Sequence, residues 1–104
     1  MGGYALTGSI VAQPGQRDAL LAILLDSARG TMPGVAGCRA YVVGVRPEDA
    51  DAVWITEIWD SAEQHLAALQ VPEIREVIAR ARPLIAGMGE PRVEIQLMGG
   101  HGLG

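Results

Sequence analysis

The sequence predicts an α+β domain with the ferredoxin-like, split βαβ order of elements, β-α-β-β-α-β. Segments in which apolar and polar side chains alternate, the pattern of a strand, surround segments with apolar side chains at helical spacing. Turn residues, mainly glycine and proline, separate them. With 104 residues the chain has room for one domain. We therefore expect a single domain over residues 1–104, with a four-stranded antiparallel sheet and helices on one face.

The first third of the chain contributes one strand and one helix to this prediction. Residues 4–12 (YALTGSIVA) form the first predicted strand, and Gln13-Pro14-Gly15 forms a turn. A helix is expected over residues 16–29, with Gly30 ending it. The apolar residues of its buried stripe are Ala19, Leu20, Ile23, Leu24 and Ala28.

The middle of the chain predicts a hairpin followed by a short helix. Strands over residues 38–45 and 52–59 are expected to pair antiparallel across a polar loop, residues 46–51. Ser61 and Gln64 have the spacing of a capping box, which predicts the start of a helix over residues 61–69.

The last third predicts a helix and a final strand. Pro72 suits the first position of a helix, and Pro83 should kink or end it. Residues 92–98 alternate as a strand, and the glycine-rich tail, residues 99–104, should be mobile unless a partner holds it. The apolar stripe of the predicted helix consists of Ile74, Val77, Ile78, Ala81 and Ile85.

Composition and charge argue against several classes of protein. The net charge is −4, lysine is absent and no basic stripe is present, so nucleic acid is not an expected partner. The longest apolar run, residues 19–25, is far too short to span a membrane, and the first residues lack the pattern of a signal peptide. The single Cys38 cannot form an internal disulfide, so we expect a cytoplasmic protein.

The predicted sheet has a second face that nothing in the chain covers. Its strands carry apolar side chains on both sides, as Val93, Ile95 and Leu97 do against Met98. A second copy of the chain is the simplest cover, so we expect a homodimer packed sheet to sheet.

The candidate functional side chains of the sequence are concentrated at the corner between the strand over residues 52–59 and the next helix. Glu57 and Trp59 share one face of the strand because strand side chains alternate. The helix that follows brings His65 within two turns of its start. A carboxylate, an indole and an imidazole are therefore expected to converge at this corner.

Each of these side chains also has a plainer interpretation. Trp59 can be a core residue, and His65 a surface or hydrogen-bonded core residue. Glu57 can form an ion pair at a dimer interface, and Tyr41 can serve packing alone. Arginines 75, 80 and 82 can be solvated flanks of a helix, and His101 in the tail can be inert. Two distant histidines and an isolated Cys38 give no metal-ligand spacing, so we expect no metal site.

Several motifs resemble the antibiotic biosynthesis monooxygenase family, which includes proteins called quinol monooxygenases. The first are the Gln13-Pro14-Gly15 turn, the run from Pro33-Gly34 through Gly37-Cys38 to Tyr41, and the corner Glu57-Ile58-Trp59-Asp60-Ser61. Residues 72–75 (PEIR), 82–87 (RPLIAG) and 99–103 (GGHGL) are similar to one bacterial branch of that family. The resemblance covers almost the full chain.

The resemblance implies a dimeric α+β barrel with one pocket in each subunit, between the sheet and its helices. It also implies oxygenation of aromatic polyketide phenols or quinols by O2, without a metal, flavin or haem. Anthrone-oxidising members have a Trp and a Tyr where this chain has Trp59 and His65, and an Arg near Arg80. The Asn that these members and the haem-degrading relatives use is missing, because the chain contains no Asn.

These observations leave three functions open. The first is a cofactor-independent monooxygenase in which Trp59 is the ring wall and His65 the base that takes the phenol proton. In this hypothesis Tyr41, Glu57 and Arg80 are the candidate substrate-binding residues. The second is a non-oxidative cyclase, isomerase or decarboxylase-like enzyme on a similar substrate, and the third is a non-catalytic dimer that binds a small aromatic ligand. Consumption of O2 would distinguish the monooxygenase from the non-oxidative enzyme. Turnover of a substrate would distinguish either enzyme from the non-catalytic dimer.

Overall fold

The computed structural model describes residues 2–102 and contains five β-strands and three α-helices. Short 3₁₀ turns at Met32–Gly34 and Arg82–Leu84 follow the first and third helices. Residues 103–104 of the predicted tail lie outside the described range. The elements in chain order are β1 (Gly3–Ala12), α1 (Arg17–Gly30), β2 (Cys38–Gly44), β3 (Ala52–Trp59), α2 (Ala62–Ala68), α3 (Pro72–Ala81), β4 (Ile85–Met88) and β5 (Val93–Leu97).

All pairings within the sheet are antiparallel, and its order is β2-β3-β1-β4, with β5 also paired to β1. The predicted α+β class and its split βαβ order are therefore confirmed. The sheet has five strands instead of the predicted four, because the segment after α3 forms a strand of its own.

Ile85 was predicted to continue the apolar stripe of the last helix, and this prediction is wrong. The helix α3 ends at Ala81, and a 3₁₀ turn that contains Pro83 follows it. Proline cannot donate the backbone hydrogen bond that would continue the helix, and its ring clashes with the preceding turn. Ile85 instead pairs with Ala12 of β1, so the chain joins the free edge of the sheet.

The strands β4 and β5 share one edge of β1 without pairing with each other. β4 pairs with Ile10–Ala12 and β5 with Gly3–Thr7, so the connection between them lies beside the middle of β1. There the backbone N–H of Gly89 donates to the carbonyl oxygen of Ser9 at 2.8 Å. This arrangement brings the residues around Gly89 close to the face that the helices cover.

The core lies between the helices and one face of the sheet and has two adjoining parts. In the first, Leu20 and Leu24 of α1 pack on Val53 and Ile55 of β3. In the second, Trp59 packs against Met32, Ala68 and Ile74. The second part is the one that positions the predicted site, since it holds the end of β3 against α2 and α3.

The opposite face of the sheet is open and apolar. Its exposed side chains include Val42 on β2 and Val93 and Ile95 on β5. The indole Nε1 of Trp54 is buried, and within residues 2–102 it has no hydrogen-bond partner. None of the helices described for residues 2–102 is long and apolar enough to cross a membrane.

Candidate functional site

Trp59 is the last residue of β3 and is almost fully buried, with 1% of its surface exposed. The alternation of β3 places it on the face that also carries Glu57. Its indole Nε1 donates to Oε1 of Glu57 at 3.0 Å. The indole is thus both a packed core side chain and a fixed hydrogen-bond donor to a carboxylate.

His65 is delivered to Trp59 by a capped helix. The Ser61 hydroxyl accepts the backbone N–H of Gln64 at 3.1 Å and so caps the start of α2. His65 then lies on the buried side of α2, with 8% of its surface exposed. Its ring centroid is 5.5 Å from that of Trp59 at an interplanar angle of 65°, an edge-to-face contact.

Glu57 connects the indole and the imidazole. Its Oε1 atom lies 3.8 Å from Nε2 of His65, an ion-pair distance that is longer than a hydrogen bond. Burial raises the pKa of the Glu57 carboxyl, while the Trp59 indole and the charges of His65 and Arg92 lower it. The net shift is upward, because desolvation is the largest of these effects.

Two tyrosines flank this group. Tyr41 of β2 lies opposite Glu57 in the strand register, and burial together with the charge of Glu57 raises the pKa of its phenol. Tyr4 of β1 lies opposite Trp59, and its ring centroid is 5.7 Å from that of His65. The Tyr4 hydroxyl donates to Glu94 at 2.5 Å, and burial and this bond raise its pKa to about 12.

A cavity of about 350 Å³ opens between the sheet and the helices beside these side chains. Its volume lies within the range of small-molecule pockets, and its lining is mostly apolar with few polar groups. The residues that line it are Ile10, Leu24, Ser27, Met32, Tyr41, Glu57, Trp59, His65, Ala68, Leu69, Ile74, Val77, Ile78, Ala81, Arg82 and Ile85.

The structure brings four of the five candidate site residues to this cavity. Trp59, His65, Glu57 and Tyr41 line it, whereas Arg80 is exposed on α3 and lies outside the lining. Arg82, two residues later, lines the cavity in its place. Residue 82 follows the end of α3, so helical spacing alone could not position it.

Sequence patterns gave no reason to select Tyr4 as a neighbour of His65. Tyr4 is at the opposite end of the chain, and only the pairing of β1 with β3 brings it beside Trp59. Strand register across the sheet is the signal that would have found it. Among residues 2–102 no group of three or more His, Cys, Asp or Glu side chains could hold a metal ion.

Comparison with known proteins places this chain in a family. The sequence profile of the antibiotic biosynthesis monooxygenase family matches residues 4–80. The chain belongs to this family. The resemblance found in its motifs is therefore confirmed, although we found no match among curated proteins.

Solved structures of similar proteins agree with this assignment. A protein of Chloroflexus aurantiacus J-10-fl, named as a candidate antibiotic biosynthesis monooxygenase, is 49% identical, with a TM-score of 0.84 over 98% of this chain and 99% of that chain. A candidate member from Caulobacter crescentus CB15 is 18% identical, with a TM-score of 0.75 over 92% of this chain and 88% of that one. The latter likeness supports the fold alone.

Proposed function

We propose that this family member is a cofactor-independent monooxygenase that oxidises an aromatic phenol, quinol or polyketide-type substrate with O2. The observation that carries the proposal is the contact of Glu57 with both Trp59 and His65 at the wall of an apolar cavity. A base beside a carboxylate, in a pocket of the size of a small aromatic molecule, suits removal of a phenol proton.

The chemistry needs an electron-rich anion, because triplet O2 does not react readily with a neutral closed-shell aromatic. Neutral His65 accepts the phenol proton, and the resulting anion gives one electron to O2. The two radicals then join through a new C–O bond at a ring carbon that carries hydrogen. Loss of water converts that carbon to a carbonyl, so one oxygen atom enters the product and the other leaves as water with two substrate hydrogens.

Glu57 and Trp59 support the base in this proposal. Once His65 is protonated, the carboxylate of Glu57 stabilises the imidazolium across their 3.8 Å contact. The Trp59 indole favours the carboxylate form of Glu57 by donating to it, which opposes the effect of burial. The relation resembles the general pattern in which a third group orients and stabilises a base. Tyr41 and Arg82 contribute to substrate binding from the cavity wall.

The proposed assembly is a homodimer in which two sheets pack face to face. The open face exposes 59% of Val42 and 46% of Ile95, and a second copy would cover both. Light scattering at micromolar concentration should give about twice the chain mass. A persistent monomer would leave the open face without a cover and remove the proposed barrel.

The test of the activity is O2 uptake with a panel of anthrones, naphthols and hydroquinones, corrected for spontaneous oxidation without protein. Turnover under ¹⁸O₂ should incorporate one labelled atom into the product by mass spectrometry. Product that forms equally well under argon would indicate the non-oxidative cyclase or isomerase instead. Binding without turnover of any of these substrates would favour the non-catalytic alternative.

A further inference from the structure

A second chamber adjoins the cavity described above. It measures about 330 Å³ and extends from Glu57 and His65 towards the connection between β4 and β5, where it ends at Met88, Gly89 and Arg92. The two chambers adjoin at a wall that both share. The residues of this shared wall are Ile10, Tyr41, Glu57, His65, Leu69 and Ile78.

Close backbone contacts hold Arg92 at the end of this second chamber. Gly89 lies so near β1 that a Cβ atom on it would come within 1.8 Å of the Ser9 hydroxyl oxygen. A Cβ atom on Gly8 would lie 3.6 Å from Cγ and 3.7 Å from Cα of Arg92. Arg92 therefore packs over Gly8, the position of β1 that has no side chain. Gly8 lies opposite the core residue Ile55 in the strand register, so Arg92 is on the side of the sheet that faces the core.

The positive charge of Arg92 acts on the side chains of the site. Within residues 2–102 no carboxylate lies within ion-pair distance of its guanidinium. Its charge lowers the pKa values of both Glu57 and Tyr4. These two residues belong to the group of side chains around His65, so a ligand bound beside His65 would also experience this charge. A guanidinium offers five donors in a fork that matches a carboxylate.

We propose that Arg92 binds an anionic oxygen substituent, a carboxylate, of the aromatic ligand whose ring lies against Trp59 and His65. The ligand then spans both chambers, with its ring in the first and its acid group in the second. The inference rests on the proposed function only for the aromatic nature of the ligand. It narrows the substrate class to hydroxyaromatic acids.

The test compares the binding of 3-hydroxy-2-naphthoate and 2-naphthol at pH 7 under argon, by isothermal titration calorimetry. The two probes share a ring system and a hydroxyl, and only the first carries a carboxylate. The wild type should prefer the acid by roughly 10- to 100-fold, the usual contribution of a hydrogen bond to a charged group. Equal affinities for the two probes would overturn the proposal.

Variants assign this preference to one arginine. Arg92→Gln should remove the preference while leaving the affinity for 2-naphthol unchanged, and Arg92→Lys should keep part of it because the charge remains. Arg75→Gln removes an exposed arginine that lines neither chamber, so it should leave both affinities unchanged. The proposal is wrong if Arg82→Gln, on the wall of the first chamber, removes the preference instead, or if Arg92→Gln weakens both probes equally.

These measurements are independent of turnover. If no substrate consumes O2 but the acid preference depends on Arg92, the proposed activity fails and the anion site stands. If O2 uptake proceeds but is indifferent to the carboxylate and to Arg92→Gln, the anion site fails and the activity stands. Circular dichroism and light scattering on each variant show that the fold and the assembly are retained.

Discussion

Nε2 of His65 and Oε1 of Glu57 lie 3.8 Å apart, with only 10% and 15% of the two side chains exposed. The residues come from different elements, α2 and β3, and meet because a short turn capped by Ser61 folds α2 back over the end of β3. The Glu57 carboxyl lies buried beside the imidazole, and two of the predictions below concern how this carboxyl and the two neighbouring tyrosines titrate.

Replacement of His65 by alanine should lower turnover of a phenol or quinol substrate by roughly 10²–10⁴-fold, the usual contribution of a positioned general base. The free energy of unfolding should fall by about 1–3 kcal/mol, the scale of the two aromatic contacts that His65 makes with Trp59 and Tyr4. Initial rates of O2 uptake and urea unfolding measure the two effects.

Leu66→Ala is the matched control for this variant, because Leu66 is the next residue of α2 and is exposed. It should turn over like the wild type. Normal turnover by His65→Ala would show that another group takes the proton, whatever the activity of the protein proves to be.

Glu57→Gln should increase the free energy of unfolding at neutral pH, because glutamine carries no charge that burial would destabilise. Because burial raises the pKa of Glu57, the unfolded state releases this proton at lower pH than the folded state. The wild type should therefore lose unfolding free energy as the pH rises above the usual glutamate pKa of about 4.3, and the variant should lack this loss. Urea unfolding at a series of pH values measures the difference, which should grow in favour of the variant towards neutral pH.

The glutamine retains an oxygen that can accept the Trp59 indole N–H, so this comparison isolates the charge. Glu63→Gln removes an exposed carboxylate from α2 and should reproduce the wild-type pH profile. A constant difference between Glu57→Gln and the wild type across the pH range would contradict the raised pKa.

Both tyrosines of the chain should ionise above the usual tyrosine pKa of about 10. Burial raises the pKa of Tyr4 to about 12, and it raises that of Tyr41 as well. Since the unfolded chain releases these protons first, stability should fall as the pH rises above about 10. Tyrosinate absorbance near 295 nm measures the titration, with the urea-unfolded protein as the reference for normal values.

Tyr4→Phe separates the two groups, because only Tyr41 then titrates. Its hydroxyl bond to Glu94 is also lost, so this variant tests whether that bond helps to hold β5 beside β1. Ionisation of either tyrosine in the folded protein at or below the value of the unfolded chain would contradict the environment described for it.

Gly89→Ala should destabilise the protein by about 1–3 kcal/mol, the usual cost of overpacking. Its Cβ would meet the Ser9 hydroxyl at 1.8 Å and the Ser9 carbonyl oxygen at 3.3 Å, so rotation of the hydroxyl relieves only part of the clash. Gly30→Ala is the control, because a Cβ there meets nothing within 4 Å and alanine favours a helix. Thermal unfolding should therefore show a lower melting temperature for Gly89→Ala and a higher one for Gly30→Ala. Equal changes in the two variants would refute the close contact of Gly89 with β1.

Much of the fold could be predicted from local patterns. The alternation of Val53, Ile55, Glu57 and Trp59 reflects a strand with one buried face, and β3 has the predicted bounds, Ala52–Trp59. Ser61 caps α2 because its hydroxyl accepts a backbone N–H that has no partner within the helix. Pro72 begins α3 because it lacks a backbone N–H, which would have no partner in the first turn. These features depend on a few neighbouring residues, so the sequence alone determines them.

Other features depend on contacts between distant parts of the chain. Ile85 continues a helical stripe in sequence, yet the free edge of β1 offers it backbone hydrogen bonds after Pro83 has ended the helix. Likewise, Tyr4 reaches His65 and Arg92 reaches the second chamber only through the register of β1 with β3 and β5. The sequence by itself determined the elements and the Glu57–Trp59 face, because these follow from local periodicity and capping. Only the tertiary structure decided which side chains share the cavity, because that depends on long-range pairing, which no local pattern encodes.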